Sequence, residues 1–228
     1  MIKLKDILFE NDAPSIFTAR RTDDRTKRQA AIAQRKAVKL VDEYVAGGSK
    51  GNLNLSNLGL SALPSNLKNV TVGGGFYCYD NELTSLEGAP SSVGGNFYCN
   101  NNKLASLQGV PTHVGGDFDC NNNKLASLQG APSNIGGDFI CGYNNLTSLE
   151  GAPNSVGGSF YCSYNKLTSL EGAPTHVGEH FYCYDNELTS LEGAPSSVGG
   201  NFNCYRNSVQ FTKEQVKAVC DVKGAIVV

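Results

Sequence analysis

The sequence predicts an α/β solenoid: a right-handed coil with a parallel sheet along its concave side, an N-terminal helical cap and a short C-terminal cap. The first observation is a period of 21 residues in the cysteines, which are Cys78, Cys99, Cys120, Cys141, Cys162, Cys183 and Cys204. The second is that the same frame of residues surrounds each cysteine, and the third is an abundance of glycine, with 26 in 228 residues. A fixed period of this length indicates stacked coils that share one core.

Each element of the repeat has a structural reason. The copy that begins at Val93 reads V-G-G-N-F-Y-C-N-N-N-K-L-A-S-L-Q-G-V-P. Phe-x-Cys is a minimal strand whose alternate side chains point into the core. Asn102 is placed to hydrogen-bond turn backbone that would otherwise be buried and unpaired. Leu104 and Leu107 are expected to pack behind the strand, and an irregular first repeat has its strand at residues 53–55.

This frame resembles the leucine-rich-repeat pattern L-x-x-L-x-L-x-x-N-x-L over about residues 51–211, with Phe and Cys where leucine is usual. The resemblance is strongest with short bacterial repeats of effector proteins, and V-G-G-x-F-x-C also resembles repeat proteins of large tailed phages. It implies a binding protein. Ligases of the effector family carry a catalytic domain after the repeats, whereas only residues 212–228 follow here, so we expect no enzyme activity.

The chain divides into four segments: a flexible N-terminal segment (1–19), a helical cap (20–50), the repeat array (51–211) and a C-terminal cap (212–228). An amphipathic stripe predicts the cap helix over residues 23–46. Its basic side leaves a membrane surface or an acidic partner as an alternative role. In the last segment, Thr212 and Gln215 form a capping box that opens a short helix, followed by a closing strand at residues 225–228.

The N-terminus resembles the removable targeting peptides of internal capsid proteins in large tailed phages, which end in Leu-x-Glu. Leu8-Phe9-Glu10 fits that ending, so processing at Leu8 and Glu10 is one option. A loosely ordered terminus or an extra helical turn is the other. Because residues 1–17 have no apolar run of signal-peptide length, we expect an intracellular protein in a reducing cytoplasm, with packaging in a virion as the alternative.

Charge and residue spacing disfavour several functions. Residues 1–50 hold 11 Lys/Arg and 7 Asp/Glu, a balance of +4, whereas residues 51–228 hold 8 and 14, a balance of −6. The array should therefore repel nucleic acid.

The sequence lacks the motifs of several kinds of functional site. We expect no membrane span, no cofactor, no metal and no catalytic residues, since metal-ligand spacings of cysteine and histidine, phosphate-binding loops and Ser-His-Asp patterns are missing from the sequence. The ladder cysteines should be reduced and buried, with oxidation of a few rungs as the alternative. His113 and His176 are interpreted as solvated residues in turns on the back of the coil.

The outward positions of the repeats vary, and nine of the ten tyrosines lie there: Tyr77, Tyr79, Tyr98, Tyr143, Tyr161, Tyr164, Tyr182, Tyr184 and Tyr205. Tyrosine offers a large contact area at small entropic cost, as in antibody binding sites. The alternative is that tyrosine is simply favoured in strands. Equivalent positions place Tyr161 and Tyr182 side by side on adjacent strands.

Polar residues complete the predicted binding face. Asp117, Asp119 and Asp138 are interpreted as an electrostatic hot spot or, equally, as a solvated acidic patch, and His180 and Arg206 as further contacts. The sequence thus predicts a non-enzymatic recognition module that binds a protein, with a glycan as second choice. The rival function is a structural or packaged component of a phage particle.

Overall fold

The computed structural model of the protein describes residues 16–228, so the motif at Leu8 and Glu10 lies outside the described residues. The described chain forms α1 (Ile16–Ala46), a 3-10 helix (Ser65–Leu67), α2 (Lys213–Val219) and seventeen strands of two residues each. In chain order the strands are β1 (Leu53–Asn54), β2 (Thr71–Val72), β3 (Phe76–Tyr77), β4 (Ser92–Val93), β5 (Phe97–Tyr98), β6 (His113–Val114), β7 (Phe118–Asp119), β8 (Asn134–Ile135), β9 (Phe139–Ile140), β10 (Ser155–Val156), β11 (Phe160–Tyr161), β12 (His176–Val177), β13 (Phe181–Tyr182), β14 (Ser197–Val198), β15 (Phe202–Asn203), β16 (Asp221–Val222) and β17 (Ile226–Val227).

The odd-numbered strands form one nine-stranded parallel sheet in the order β1-β3-β5-β7-β9-β11-β13-β15-β17. Each strand pairs with the equivalent strand of the next coil, so that Phe97 lies beside Phe118 and Tyr98 beside Asp119. The predicted solenoid with a parallel sheet is confirmed. At about 4.8 Å per strand, the sheet is about 38 Å long.

A second strand in each coil was not predicted. The even-numbered strands form two four-stranded parallel sheets, β2-β4-β6-β8 and β10-β12-β14-β16. The interpretation of the segments at His113 and His176 as turns is wrong, since both lie in strands. Both histidines are exposed, as expected, while the valine after each is buried. A two-residue strand with one inward side chain shows no alternation in sequence, which is why the pattern does not predict it.

Glycine links the two strands of each coil because the stacked backbones are too close for a side chain. A Cβ placed on Gly115 would overlap the carbonyl oxygen of Gly94 in the preceding coil, and the same overlap recurs between Gly136 and Gly115. The first glycine of each pair is therefore required by the stacking of the coils, whereas the second position also accepts Glu179.

The core is a set of parallel ladders of identical residues. Successive phenylalanine rings along the nine-stranded sheet lie 5.1–5.7 Å apart between centroids. The seven ladder cysteines and the two leucines that follow each asparagine are buried beside them. Burial of the cysteine ladder, predicted from its inward position, is thereby confirmed.

The asparagine of each repeat fastens consecutive coils together. The Asn123 amide nitrogen donates to the carbonyl oxygens of Cys99 (3.1 Å), Cys120 (3.1 Å) and Asn121 (3.2 Å). Its Oδ1 accepts from the Leu104 N–H at 2.9 Å. Equivalent bonds recur from Asn81 to Asn207. The predicted role of this asparagine is confirmed, and it spans two coils rather than one turn.

The N-terminal helix begins earlier than predicted. α1 starts at Ile16, whereas the sequence pattern predicted a helix from residue 23. The Thr22-Asp23 capping signal is not used, because residues 16–46 contain neither glycine nor proline to end the preceding turns.

The second half of α1 packs on the array. Ala33, Ala37 and Val41 are buried, whereas Ala30, which the predicted stripe included, is exposed. The Tyr44 hydroxyl donates to Ser49 O at 2.7 Å and accepts from a glycine N–H of the next coil at 3.0 Å. The helix thus covers the open end of the first coil.

The C-terminal segment completes one further coil. The Thr212 side chain accepts from the Gln215 N–H, and the Gln215 side chain accepts from the Thr212 N–H, which confirms the predicted capping box. After α2, β16 extends one four-stranded sheet and β17 extends the nine-stranded sheet. The closing strand was predicted, whereas β16 was not.

Replacing Asn123 by alanine should lower the unfolding free energy by about 2–3 kcal/mol, because buried backbone groups of two coils lose their partners. Chemical denaturation measures the change. Asn134→Ala is the matched control, since Asn134 is exposed. Equal stability of the two variants would contradict the role assigned to Asn123.

Candidate functional site

The candidate site is the outer side of the nine-stranded sheet. We define the tyrosine face as three positions in each repeat, namely the residue between Phe and Cys and the two residues after Cys. Eight of its nine tyrosines are half-buried, and Tyr143 is 54% exposed. The sheet holds these side chains at one-coil intervals, so their rings form rows along the coil axis.

The tyrosines gather at two places on this face. A small group lies near the N-terminal end, where Tyr77 lies 5.4 Å from Tyr98 between ring centroids. A larger group lies toward the C-terminal end, with centroid distances of 5.1 Å for Tyr161–Tyr182, 4.1 Å for Tyr143–Tyr164, 5.5 Å for Tyr164–Tyr184 and 5.1 Å for Tyr184–Tyr205. The expected pairing of Tyr161 with Tyr182 is present.

Two of these tyrosines have an unusual backbone conformation. The second position after each cysteine lies in the left-handed region, with φ values of 50–58° from Asp80 to Arg206. Asparagine and aspartate tolerate this region, and they occupy four of the seven positions. Tyr143 (φ 52°) and Tyr164 (φ 58°) do not belong to the tolerant types, so the backbone conformation does not favour tyrosine at these positions.

Two acidic residues, Asp117 and Asp138, lie beside the tyrosine face, each at the position before a phenylalanine. Asp117 Oδ1 accepts from the Asp138 N–H at 2.9 Å, and Asp138 Oδ1 accepts from the Ser159 N–H at 2.7 Å. Both carboxylates thus belong to a ladder in which the residue before each phenylalanine bonds the next coil. His180 belongs to it as well, since its Nδ1 accepts from the Asn201 N–H at 2.9 Å.

This ladder is a structural role that the sequence interpretation of Asp117, Asp138 and His180 missed. The signal was available in the repeat, because the residue before phenylalanine carries a hydrogen-bond acceptor in every copy from Asn96 to Asn201. Tyr98 is tied to the same ladder through a hydrogen bond to Asp117 Oδ2 at 3.1 Å. Burial, and next the charge of Asp117, raise the pKa of Tyr98 to about 12.

Comparison with known proteins bears on the fold. A solved structure described as a Shigella effector LRR domain covers 93% of this chain and 99% of its own, with a TM-score of 0.60 and 18% sequence identity. The chain has the leucine-rich-repeat fold. No protein-family model matches the sequence, and no curated protein matches it.

The leucine-rich-repeat core contains thiols of low reactivity. All eight cysteines are free and buried. Burial raises the pKa of every ladder thiol, to about 11 for Cys204 and further for those in the middle of the array. A thiol that stays protonated is a poor nucleophile and a poor metal ligand. Among the described residues, no cluster of acidic, histidine or cysteine side chains is suited to hold a metal ion.

The described part of the chain contains no helix that is long and apolar enough to cross a membrane.

Asp119 differs from the other acidic residues of the leucine-rich-repeat array. Its Oδ1 accepts from the N–H and the side chain of Asn121, at 3.0 and 2.7 Å. Burial nevertheless raises the pKa of Asp119 to about 6. The equivalent residue in the first and last repeats is asparagine (Asn54 and Asn203), and each makes the same bond to the backbone two residues on. A charge at this position is therefore not needed for folding.

The Asp119→Asn variant should be more stable than the native chain at pH 7.5. Because the folded-state pKa of about 6 lies above the ordinary value of 3.8, stability falls as pH rises between these values. One unit of pKa corresponds to about 1.4 kcal/mol, so we expect a gain of about 1–3 kcal/mol at pH 7.5 and none at pH 3.5. Denaturant titrations at both pH values measure it.

Asp80→Asn is the control for this variant, since Asp80 is exposed and asparagine occupies its position in the next two repeats. A loss of stability at pH 7.5 in Asp119→Asn alone would overturn the conclusion that the carboxylate is poorly accommodated.

Proposed function

We propose that this leucine-rich-repeat protein is a non-enzymatic recognition module that binds a protein partner on its tyrosine face. A glycan is the second choice, because the same ring faces could stack on sugars. The observation that carries the proposal is the contrast between the inward and the outward positions of the repeat. Inward positions are nearly constant, whereas nine of the ten tyrosines occupy outward positions that vary from coil to coil.

Strand propensity does not account for this distribution. It would favour tyrosine between Phe and Cys, but five of the nine tyrosines lie after the cysteine, beyond the two-residue strands. Tyr143 and Tyr164 adopt a left-handed backbone that costs a bulky residue about 1–2 kcal/mol. Residues retained at a cost to stability are typical of binding surfaces.

The dimensions of the face suit a protein. A sheet about 38 Å long can supply the roughly 800 Å² that each partner contributes to a standard interface. Rings that are half-buried and in contact with one another lose little freedom on binding, which favours affinity. The five aspartates of the face and of its hydrogen-bonding ladder outnumber the single Arg206, a balance of −4, which disfavours nucleic acid.

Truncating Tyr161 and Tyr182 together to alanine should weaken binding by about 2 kcal/mol or more, because aromatic side chains dominate the energetics of such interfaces. Proteins are first captured from a lysate with the native chain and, separately, with the double variant. Mass spectrometry then identifies the partner as a protein that the native chain captures and the double variant does not. Its dissociation constant is then measured by calorimetry with each purified variant.

His113→Ala is the control for surface changes away from the tyrosine face, since His113 is exposed on the second sheet. The two rings are half-buried and 5.1 Å apart, so the double variant should lose about 1 kcal/mol of stability. Circular dichroism verifies that it is folded. Normal binding by the folded double variant would show that the tyrosine face is not the site, and α1 would become the better candidate.

A further inference from the structure

The larger tyrosine group encloses a pocket of about 170 Å³. Its walls include Tyr143, Tyr161, Tyr164 and Tyr184, with Ile140 and Ser163 among the remaining lining residues. Tyr143 and Tyr164 stack nearly parallel at 16°, while the Tyr184 ring lies at 82° to Tyr164. The volume is below the roughly 300–1,000 Å³ of sites for small-molecule ligands, so the pocket fits a single side chain.

One polar group in the pocket wall and one close to the pocket have no well-formed hydrogen bond among the described residues. Ser163 lines the pocket, is 5% exposed and lies near the Tyr184 phenol, and its hydroxyl is the first of these groups. Beside Tyr164 and Tyr184 lies Asp185, whose Oδ1 pairs with Arg206 Nε at 3.0 Å. Its Oδ2 is buried without a partner among the described residues. A buried polar atom left unpaired is costly, and a ligand that donates a hydrogen bond to Ser163 Oγ would relieve that cost in the pocket wall.

Electrostatics favour a cation in this pocket. Aromatic faces attract ammonium and guanidinium groups, more strongly where water is excluded. Asp119 lies one strand from Ile140 and two strands from Tyr161, on the same row of the sheet. Apart from Arg206, which Asp185 already pairs, the positions of the tyrosine face carry no basic residue. An apolar side chain would leave the Ser163 hydroxyl unpaired.

We propose that this pocket receives an arginine or lysine side chain of the protein partner. The proposal rests on the function proposed above and adds the chemistry of the residue recognised. The guanidinium or ammonium group lies against the tyrosine rings and donates to Ser163 Oγ, while Asp185 and Asp119 supply the opposing charge. The protein would then recognise its partner through one basic side chain in this pocket rather than through general hydrophobic contact.

The test uses random twelve-residue peptides displayed on phage and selected on the full chain. Counter-selection uses the Tyr143→Asn/Tyr164→Asn variant. Asparagine suits both sites, because Asn101 and Asn122 adopt the same left-handed conformation at the equivalent positions of other repeats. Enriched peptides are expected to share an arginine or lysine. Calorimetry with the soluble monomeric peptides then compares each basic residue with norleucine and, for arginine, with its neutral analogue citrulline.

Neutralising the basic residue should weaken binding at least tenfold, and the Tyr143→Asn/Tyr164→Asn variant should lose a similar factor. Asp185→Asn should weaken the basic peptides about three- to tenfold while leaving a norleucine peptide unaffected. His113→Asn lies on the second sheet, outside the tyrosine face, and introduces the residue that the next coil already has at Asn134. It is the control, and binding by it should stay within twofold of the native chain. Circular dichroism verifies the fold of each variant.

Three results would overturn the inference. Peptides that depend on the tyrosines but bind as well with norleucine would show that the pocket takes an apolar residue, and the proposed function would stand. Basic peptides that bind the Tyr143→Asn/Tyr164→Asn variant normally would show that general acidity attracts them elsewhere. If no selected peptide depends on any tyrosine of the face, the inference and the proposed function both fail.

Discussion

The register between successive coils depends on the asparagine ladder. Each asparagine joins carbonyl oxygens of its own coil and of the preceding one, and its oxygen accepts an N–H from the preceding coil. These groups are buried and would be costly to leave unpaired. Because a shift by one residue would place every inward side chain on the outer side of the sheet, this register also determines which residues form the core.

Once the register is fixed, the inward and outward halves of the repeat have separate tasks. Phenylalanine, cysteine and leucine fill the core and leave little room for change, whereas the outward positions bear almost no packing load. Tyr143, Tyr164, Asp119 and Ser163 depart from what the fold would favour. The two tyrosines have a left-handed backbone, Asp119 has a raised carboxylate pKa, and the Ser163 hydroxyl has no well-formed hydrogen bond among the described residues. Their grouping at neighbouring positions of the sheet is the basis for placing the binding site there.

The sequence predicted the solenoid well because repetition multiplies each weak signal. One Phe-x-Cys is ambiguous, but seven at a constant spacing indicate stacked strands. The capping box at Thr212 was predicted because its two partners are local in sequence. The second strand in each coil was not predicted, because its two residues, such as Ser-Val or His-Val, are too few to show an alternation of apolar and polar side chains. The start of α1 was misplaced because capping residues in a sequence do not show whether the helix continues before them.

Prediction of the site was less complete, for a reason specific to repeats. Asp117, Asp138 and His180 differ in type, yet they make the same bond to the next coil, so their shared role is visible only as an acceptor at a constant position. The tyrosines could be assigned to the outer side of the sheet from their positions. Their stacking angles, the pocket between them and the exposure of each acidic group depend on side-chain conformations that a periodic pattern does not determine.

The proposed binding role of Tyr143 and Tyr164 implies that the fold does not require tyrosine on the left-handed backbone. The unfolding free energy of the Tyr143→Asn/Tyr164→Asn variant measures whether it does. Two left-handed tyrosines cost about 1–2 kcal/mol each, and their stacking returns about 0.5–1.5 kcal/mol. The account therefore predicts that the variant is as stable as the native chain or more stable. A loss above about 2 kcal/mol, beyond what the stacked pair can contribute, would show that the tyrosines hold the coil together and would contradict it.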